Sequence, residues 1–184
     1  MKQFQGIYMP NTEFELIDWM SKHGEKVDGK GTYQYAKLIG AMAHCKSFRR
    51  CVDQGSHIGL WSMHLAKRFD YVECFEPVEH LRDCWLKNVE PKAGLDIYPH
   101  ALGKESGFIK MVSNPHACGD SWIDTPGAEK RSIAGHVAEP VGALVEMRTL
   151  DSYHFIDVDF LKVDAEGYEE NILRGAAETI RQWR

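Results

Sequence analysis

The sequence predicts an α/β fold in which a doubly wound, mostly parallel sheet is covered by helices on both faces. Two observations support this fold. Short runs of β-branched and aromatic residues alternate with helical patterns of about 10 to 15 residues, which is the arrangement of β-α-β units. The length of 184 residues, with 43% hydrophobic and 27% charged residues, is typical of one domain with its own core.

Residues 1–48 are predicted to form a helical cap in front of this sheet. Apolar residues recur at spacings of three and four over residues 12–22 and again over residues 33–44. A glycine-rich break at residues 27–31 separates the two patterns. We therefore expect two short helices joined by a turn.

Residues 49–184 are predicted to form the α/β core of this single domain. Strands are expected at residues 51–53, 71–77, 95–98, 108–112, 145–150 and 158–163. Helices are expected at residues 60–69, 78–88 and 166–183. Residues 113–142 are dense in glycine, proline, serine and histidine and have no steady period, so they are predicted to form a long substrate loop.

Composition and charge exclude several classes of partner. The 22 basic and 27 acidic residues give a net charge of −5, and the longest basic patch ends at Arg50, so no nucleic-acid partner is expected. No apolar run approaches the roughly 20 residues that span a bilayer, and the first thirty residues lack the pattern of a secretory leader. We therefore expect a cytoplasmic protein without a membrane partner.

The segment after the first core strand has the pattern of a ligand-binding turn. Its glycines, Gly55 and Gly59, do not form the G-x-G-x-x-G fingerprint of dinucleotide sites, and His57 stands where a small residue would be needed. Glu76 follows Asp53 by 23 residues, at the end of the next strand, where a carboxylate can accept two ribose hydroxyls. The pattern favours a nucleoside ligand that need not carry a diphosphate.

Two further carboxylates, Asp164 and Glu166, follow the last predicted strand. We expect both to face the cleft as candidate catalytic groups, with Glu166 alternatively serving as a helix N-terminal carboxylate. No histidine stands at ligand spacing from them, so no metal is expected.

The predicted loop contributes candidate substrate-binding residues. His116 or His136 could act as the base instead of Asp164, and the sequence does not rank them. Tyr33 and Tyr35 could close the pocket or pack in the core. The loop candidates are Asn114, His116, Asp120, Trp122 and His136.

Six short segments carry a family resemblance. They are D-Q-G-S-H-I-G at residues 53–59, F-E-P at 75–77, H-A-L-G at 100–103, T-L-D at 149–151, L-K-V-D-A-E-G-Y-E at 161–169 and L-R-G-A at 173–176. In order, over about residues 50–180, they resemble the FkbM-type methyltransferases. The D-x-G segment would fit any class I methyltransferase, and the K-x-D-x-E-G-x-E segment narrows the resemblance.

The resemblance implies a Rossmann-like class I methyltransferase fold with S-adenosylmethionine as cofactor. Glu76 would hold the ribose, and Asp164 would lie beside the methionine end. His57 replaces the asparagine more usual in that turn. The remaining implied contacts are Asp53, Gly55, Ser56, His57, Ile58 and Gly59 for the methionine moiety, and Pro77, Val78, Ala101 and Leu102 for the adenine.

These expectations together predict O-methylation of a small hydroxylated acceptor, such as a glycan or a secondary metabolite. The alternatives are an NAD-dependent oxidoreductase and a non-catalytic nucleoside-binding module on the same fold. A homo-oligomer is compatible with the sequence. Since class I sheets normally continue beyond the last helix here, we expect a C-terminally shortened fold, through either truncation or a reduced sheet.

Overall fold

The structure, a computed structural model, describes residues 1–114, 117–123 and 143–183, and its first fifty residues combine hairpins with helices. Both helices expected in this segment are present, and the structure adds two hairpins that the periodicity did not predict. Each hairpin pairs only with itself and does not join a larger sheet. The elements are β1 (Lys2–Phe4), β2 (Ile7–Met9), α1 (Glu15–His23), β3 (Lys26–Val27), β4 (Lys30–Gly31) and α2 (Tyr35–Met42).

Two β-α-β units follow, with strands and helices close to their predicted places. The helix predicted over residues 60–69 is much shorter in the structure, because its regular part covers one turn. The elements are β5 (Arg50–Gln54), α3 (Ser62–Leu65), β6 (Tyr71–Phe75), α4 (Glu79–Asn88) and β7 (Leu95–Tyr98).

A second sheet occupies the middle of the chain. The prediction of a loop from residue 113 is wrong at its start, because the chain forms an antiparallel hairpin there. Residues 115–116 and 124–142 lie outside the described part. The strands are β8 (Ala101–Leu102), β9 (Gly107–Asn114), β10 (Ala117–Ile123) and β11 (Ala143–Arg148), in the order β10-β9-β11-β8.

The last strand, β12 (Val158–Val163), returns to the first sheet, whose order is β12-β5-β6-β7 with every pairing parallel. The α/β class and a parallel sheet are thus confirmed, and the doubly wound layout stays a prediction. Because all four strands run the same way, their carboxyl ends meet at one edge, where ligands bind in such sheets.

The single helix predicted over residues 166–183 is two helices in the structure, α5 (Glu169–Arg174) and α6 (Ala177–Trp183). The Asp151 carboxylate explains the new start, since it accepts hydrogen bonds from the backbone N–H groups of Glu178 and Thr179. This cap comes from a distant segment, so the local pattern could not show it.

Buried residues form one cluster on each face of the parallel sheet. Successive residues of β5 point to opposite faces, so Cys51 packs in one cluster and Val52 in the other. Helices α2, α3 and α4 contribute to the first cluster, and Ile172 of α5 to the second. In the described chain, no helix is long and apolar enough to cross a membrane.

Candidate functional site

A cavity of about 630 Å³ lies at the carboxyl ends of β5, β6 and β12. Its walls include the glycine turn after β5, the end of β6, the segment after β12 and the N-terminal residues 13–37, with further residues from the second sheet. The volume lies in the range of pockets that hold small molecules and cofactors. The parallel sheet thus brings the ends of three strands together at one cavity.

The glycine turn is held closely between the two neighbouring strands. Gly55 has a φ of 70°, and its N–H donates to the Phe75 carbonyl oxygen at 3.0 Å. A Cβ at this position would overlap the Asp164 carbonyl oxygen, so only glycine fits here. The glycine is therefore needed because the backbone of the turn lies in close contact with the backbone at the end of β12.

The Glu76 carboxylate lies beneath this turn and is nearly fully buried, with 5% of the residue exposed. One oxygen accepts the His57 N–H at 3.0 Å, and the other accepts the Val78 N–H at 2.9 Å. Burial raises the pKa of Glu76 to about 7, against the opposing effect of these two hydrogen bonds. Each oxygen retains a second lone pair that can accept a hydroxyl from a ligand.

Ser56, in the same turn, supplies a second group that suits a polar ligand. Its Oγ is buried, has no hydrogen-bond partner among the residues that the structure describes, and belongs to a residue that lines the cavity. A buried hydroxyl without a partner costs free energy unless a ligand or water satisfies it. Together with Glu76, it gives the cavity the donor and acceptor groups that fit a nucleoside.

The structure places several predicted binding residues behind the wall rather than in it. Asp53 is fully buried, and its Oδ2 accepts the Ser62 hydroxyl at 2.6 Å. Ile58, Gly59 and Val78 also do not line the cavity, although Val78 holds Glu76 through its backbone. Those that do line it are Gly55, Ser56, His57, Glu76, Pro77, Ala101, Leu102, Asp164 and Glu166.

Lys162 is a central residue that the sequence analysis did not select. Its ammonium donates to the Gly55 carbonyl oxygen at 2.6 Å and lies 3.2 Å from Asp53 Oδ1, without a well-aligned hydrogen bond to that atom. It is also 3.7 Å from Asp164 Oδ2. The register pairs Lys162 with Asp53 across β12 and β5. The K-x-D spacing of Lys162 and Asp164 was visible in the sequence, but the buried counter-ion of Lys162 is Asp53, which lies on another strand.

Asp164 and Glu166 both line the cavity. The Asp164 side chain is 63% exposed, and its backbone N–H donates to Gln54 Oε1 at 3.0 Å. Glu166 is exposed and has a φ of 48°. Because α5 begins at Glu169, Glu166 lies outside the helix and is not part of its first turn.

The predicted loop residues are only partly described. Asn114 lies in β9, and Asp120 and Trp122 lie in β10, where the structure describes their backbone but not their side chains. His116 and His136 lie outside the described residues. From this hairpin, Met111, Gly119 and Ile123 line the cavity.

The N-terminal segment forms one wall of the cavity. The sequence analysis had not decided whether Tyr33 and Tyr35 close the pocket or pack in the core. Tyr33 lines the cavity, whereas Tyr35 packs against the His64 ring with centroids 4.8 Å apart. The Trp19 ring lies 4.5 Å from the Tyr33 ring, and Trp61 Nε1 donates to the Tyr33 carbonyl oxygen at 3.0 Å. The helical spacing of Trp19 indicated only packing, so its place in the cavity was missed.

The described residues contain no group of three or more His, Cys, Asp or Glu side chains arranged to hold a metal ion.

Residues 53–184, which hold the glycine turn, Glu76, Lys162 and Asp164, match the Methyltransferase FkbM domain family. The chain is also similar to Methyltransferase 1 of Beauveria bassiana (strain ARSEF 2860), with 23% identity over 141 residues. That alignment covers 67% of this chain and 57% of the relative, so the chain spans little more than half of its length. The family match extends over most of the chain and includes the strand-end residues described above. The chain therefore belongs to the FkbM methyltransferase family.

Proposed function

We propose that the protein is an S-adenosylmethionine-dependent methyltransferase that methylates a hydroxyl group of a small hydroxylated acceptor. One observation carries the cofactor part of this proposal: the buried Glu76 carboxylate, held by two backbone N–H groups at the end of β6. A carboxylate fixed in this way can accept both hydroxyls of a ribose. The family match supports the methyltransferase class.

The chain's own groups would divide the work between two ends of the cavity. Glu76 would hold the ribose, and Ser56 with the turn at Gly55 would meet the methionine moiety. Pro77, Ala101 and Leu102 offer the mostly apolar wall that suits an adenine ring. S-adenosylmethionine supplies a methyl group already activated by the positive charge on sulfur.

The carboxylates at the polar end would act on the acceptor. Asp164 or Glu166 would accept a hydrogen bond from the acceptor hydroxyl and take its proton as the hydroxyl oxygen replaces sulfur on the methyl carbon, which leaves S-adenosylhomocysteine as the neutral thioether product. Because the methyl donor needs no further activation, the other task of this end is to hold the hydroxyl in line with the methyl group. Proton transfer to a solvent-exposed carboxylate also gives the proton a direct route to water.

Calorimetric titration with S-adenosylhomocysteine tests the cofactor assignment. The wild-type protein is expected to bind it, and Glu76→Ala is expected to weaken binding about hundredfold, because two hydrogen bonds to a charged acceptor are lost. Glu79→Ala is the matched control, since Glu79 is an exposed carboxylate three residues away, and it should bind like the wild type.

A parallel titration with the nicotinamide dinucleotide NAD separates the oxidoreductase alternative. If NAD binds and S-adenosylhomocysteine does not, the proposed function is wrong. Binding without any transfer of labelled methyl groups, in an extract that contains acceptors, would instead favour the non-catalytic module.

A further inference from the structure

We infer that the cavity-lining residues of the segment 13–37 form the acceptor-binding half of the cavity and that this half takes the pyranose ring of a carbohydrate. This inference rests on the proposed function. It concerns a part of the chain outside the family match, which begins at residue 53. The N-terminal wall is therefore where this protein can differ from relatives that share the cofactor-binding half.

Aromatic rings give this wall an apolar surface. The rings of Trp19 and Tyr33 contact each other at 4.5 Å with an interplanar angle of 59°, and Trp61 follows the glycine turn on the adjoining side. All three residues line the cavity and are half-buried, so each retains surface for a ligand. The C–H face of a sugar ring can cover such a surface by dispersion and by removing apolar area from water.

Polar groups of both kinds surround these rings. Lys37, Gln34 and Lys162 present N–H donors, while Glu15, Asp164 and Glu166 present acceptor oxygens. A sugar hydroxyl both donates and accepts, so it can use either kind. An anionic acceptor would face the carboxylates and a cationic one the two ammonium groups. The mixture therefore favours a neutral molecule with several hydroxyls.

The Tyr33 hydroxyl connects this wall to the proposed proton acceptors. It accepts a hydrogen bond from Gln34 Nε2 at 3.0 Å, which holds the phenol in place. Burial, with the negative charges of Asp164 and Glu166, raises the pKa of Tyr33, so it keeps its proton at neutral pH. It can then donate to an acceptor oxygen and position the neighbouring hydroxyl against a carboxylate. We assign Tyr33 as a positioning residue.

The second sheet limits the same space from the opposite side. Helix α1 lies near β10, and Gly119 and Ile123 of that strand line the cavity. Glycine and isoleucine offer little hydrogen bonding through their side chains. Among the described lining residues, the polar side chains on the acceptor side therefore come from the N-terminal wall and the segment after β12.

The test is transfer of labelled methyl groups from S-adenosylmethionine to defined probes. The probes are the methyl pyranosides of glucose, mannose and rhamnose, compared with cyclohexanol, catechol and ethanolamine. Label is expected in at least one pyranoside and at most weakly in the other three. Tyr33→Phe should raise the KM for that pyranoside about tenfold while the Kd for S-adenosylhomocysteine stays within twofold, and Trp19→Leu should do the same.

Phe14→Leu is the matched control, because Phe14 is an exposed ring in the same segment that does not line the cavity. It should leave both constants unchanged. If a protein that binds S-adenosylhomocysteine labels no pyranoside, or only the other probes, the inference is overturned and the cofactor assignment stands. Pyranoside transfer that neither Tyr33→Phe nor Trp19→Leu weakens would also overturn it. Absence of S-adenosylhomocysteine binding would instead remove the proposed function.

Discussion

Glu76 and Asp164 each follow a strand of the same parallel sheet, yet their surroundings are opposite. Glu76 is 5% exposed and accepts two backbone hydrogen bonds, whereas the Asp164 side chain is 63% exposed and lies 3.7 Å from the Lys162 ammonium. Equivalent positions in the topology thus carry a buried carboxylate fixed by hydrogen bonds at one end of the cavity and a solvent-exposed carboxylate at the other. The fixed, buried end suits a cofactor that is the same in every reaction. The exposed end suits an acceptor that differs from one enzyme to another.

The difference follows from how the chain leaves each strand. After β6, Val78 turns back at once and its N–H binds Glu76, while the glycine turn covers the same carboxylate. After β12, Glu166 and Gly167 both have positive φ, and regular helix begins only at Glu169. This end of the cavity is therefore open, and the N-terminal segment forms its far side.

Lys162→Met should have the largest effect, because it leaves the fully buried Asp53 without its counter-ion. Removing one partner of a buried ion pair typically costs about 3 kcal/mol or more, so the free energy of unfolding should fall by that order. Urea denaturation followed by circular dichroism measures it. Lys67→Met removes an exposed pair with Asp28 and should leave the midpoint nearly unchanged.

The double variant Asp53→Asn with Lys162→Met should recover part of this loss, since no buried charge is then left unpaired. If Lys162→Met is as stable as the wild type, the ion pair between Lys162 and Asp53 does not stabilise the part of the cavity around the glycine turn.

Gly55→Ala and Gly167→Ala compare the two ends directly, since both glycines have positive φ. At Gly55 the new Cβ would also overlap the Asp164 carbonyl oxygen, whereas at Gly167 it would have no described residue within 4 Å apart from its chain neighbours. We expect a loss of about 3 kcal/mol and of S-adenosylhomocysteine binding at Gly55, against about 1 kcal/mol at Gly167. Equal losses of stability at both positions would show that the turn is not held more tightly than the open segment.

The pH dependence of S-adenosylhomocysteine binding should show whether the ionised Glu76 carboxylate holds the ligand. Burial raises the pKa of Glu76 to about 7, so below that pH the carboxyl carries a proton in the free protein. Ribose hydroxyls favour the ionised form, and binding must then release this proton. Affinity for S-adenosylhomocysteine should fall up to tenfold per pH unit below about 7.

Glu76→Gln cannot titrate and should show a flatter profile over the same range, with weaker binding at pH 8. A wild-type profile that is level from pH 5 to 8 would contradict this role for the ionised carboxylate. The same raised pKa makes folding stability fall as pH rises from about 4.5 to 7, because the folded state binds the extra proton.

Asp164→Asn should have the smallest effect on cofactor binding. Its backbone, rather than its exposed carboxylate, meets the glycine turn, so the Kd for S-adenosylhomocysteine should change less than threefold. Glu166→Gln is the companion variant, and methyl transfer should fall strongly in the variant that removes the base. A hundredfold loss of S-adenosylhomocysteine binding in Asp164→Asn would mean that the Asp164 carboxylate also binds the cofactor, so that the two ends of the cavity do not have separate roles.

Local patterns were sufficient for the elements that carry the site. The runs ending at Asp53, Glu76 and Asp164 predicted three strands with polar groups at their carboxyl ends, and parallel order brings such ends together. Gly55 could be chosen because a tight turn after a strand needs it. These predictions depend on periodicity and turn chemistry, which neighbouring residues determine.

The remaining features depend on distant contacts. The hairpins in the first fifty residues have strands of two or three residues, too short to show alternation. Strand β10 contains cysteine, glycine, aspartate and serine and forms by pairing with β9. Lys162 acquires its role from Asp53 on another strand, and Trp19 from its contact with Tyr33. Tertiary context overrides local propensity at each of these positions.

A crystal structure of the protein with S-adenosylhomocysteine tests the central claim most directly. We predict that both ribose hydroxyls lie within hydrogen-bonding distance of the Glu76 carboxylate, that Ser56 Oγ gains a partner, and that the space beside Trp19 and Tyr33 stays open. A ribose bound elsewhere, or a ligand that fills the space beside Trp19 and leaves Glu76 without contact, would contradict the account.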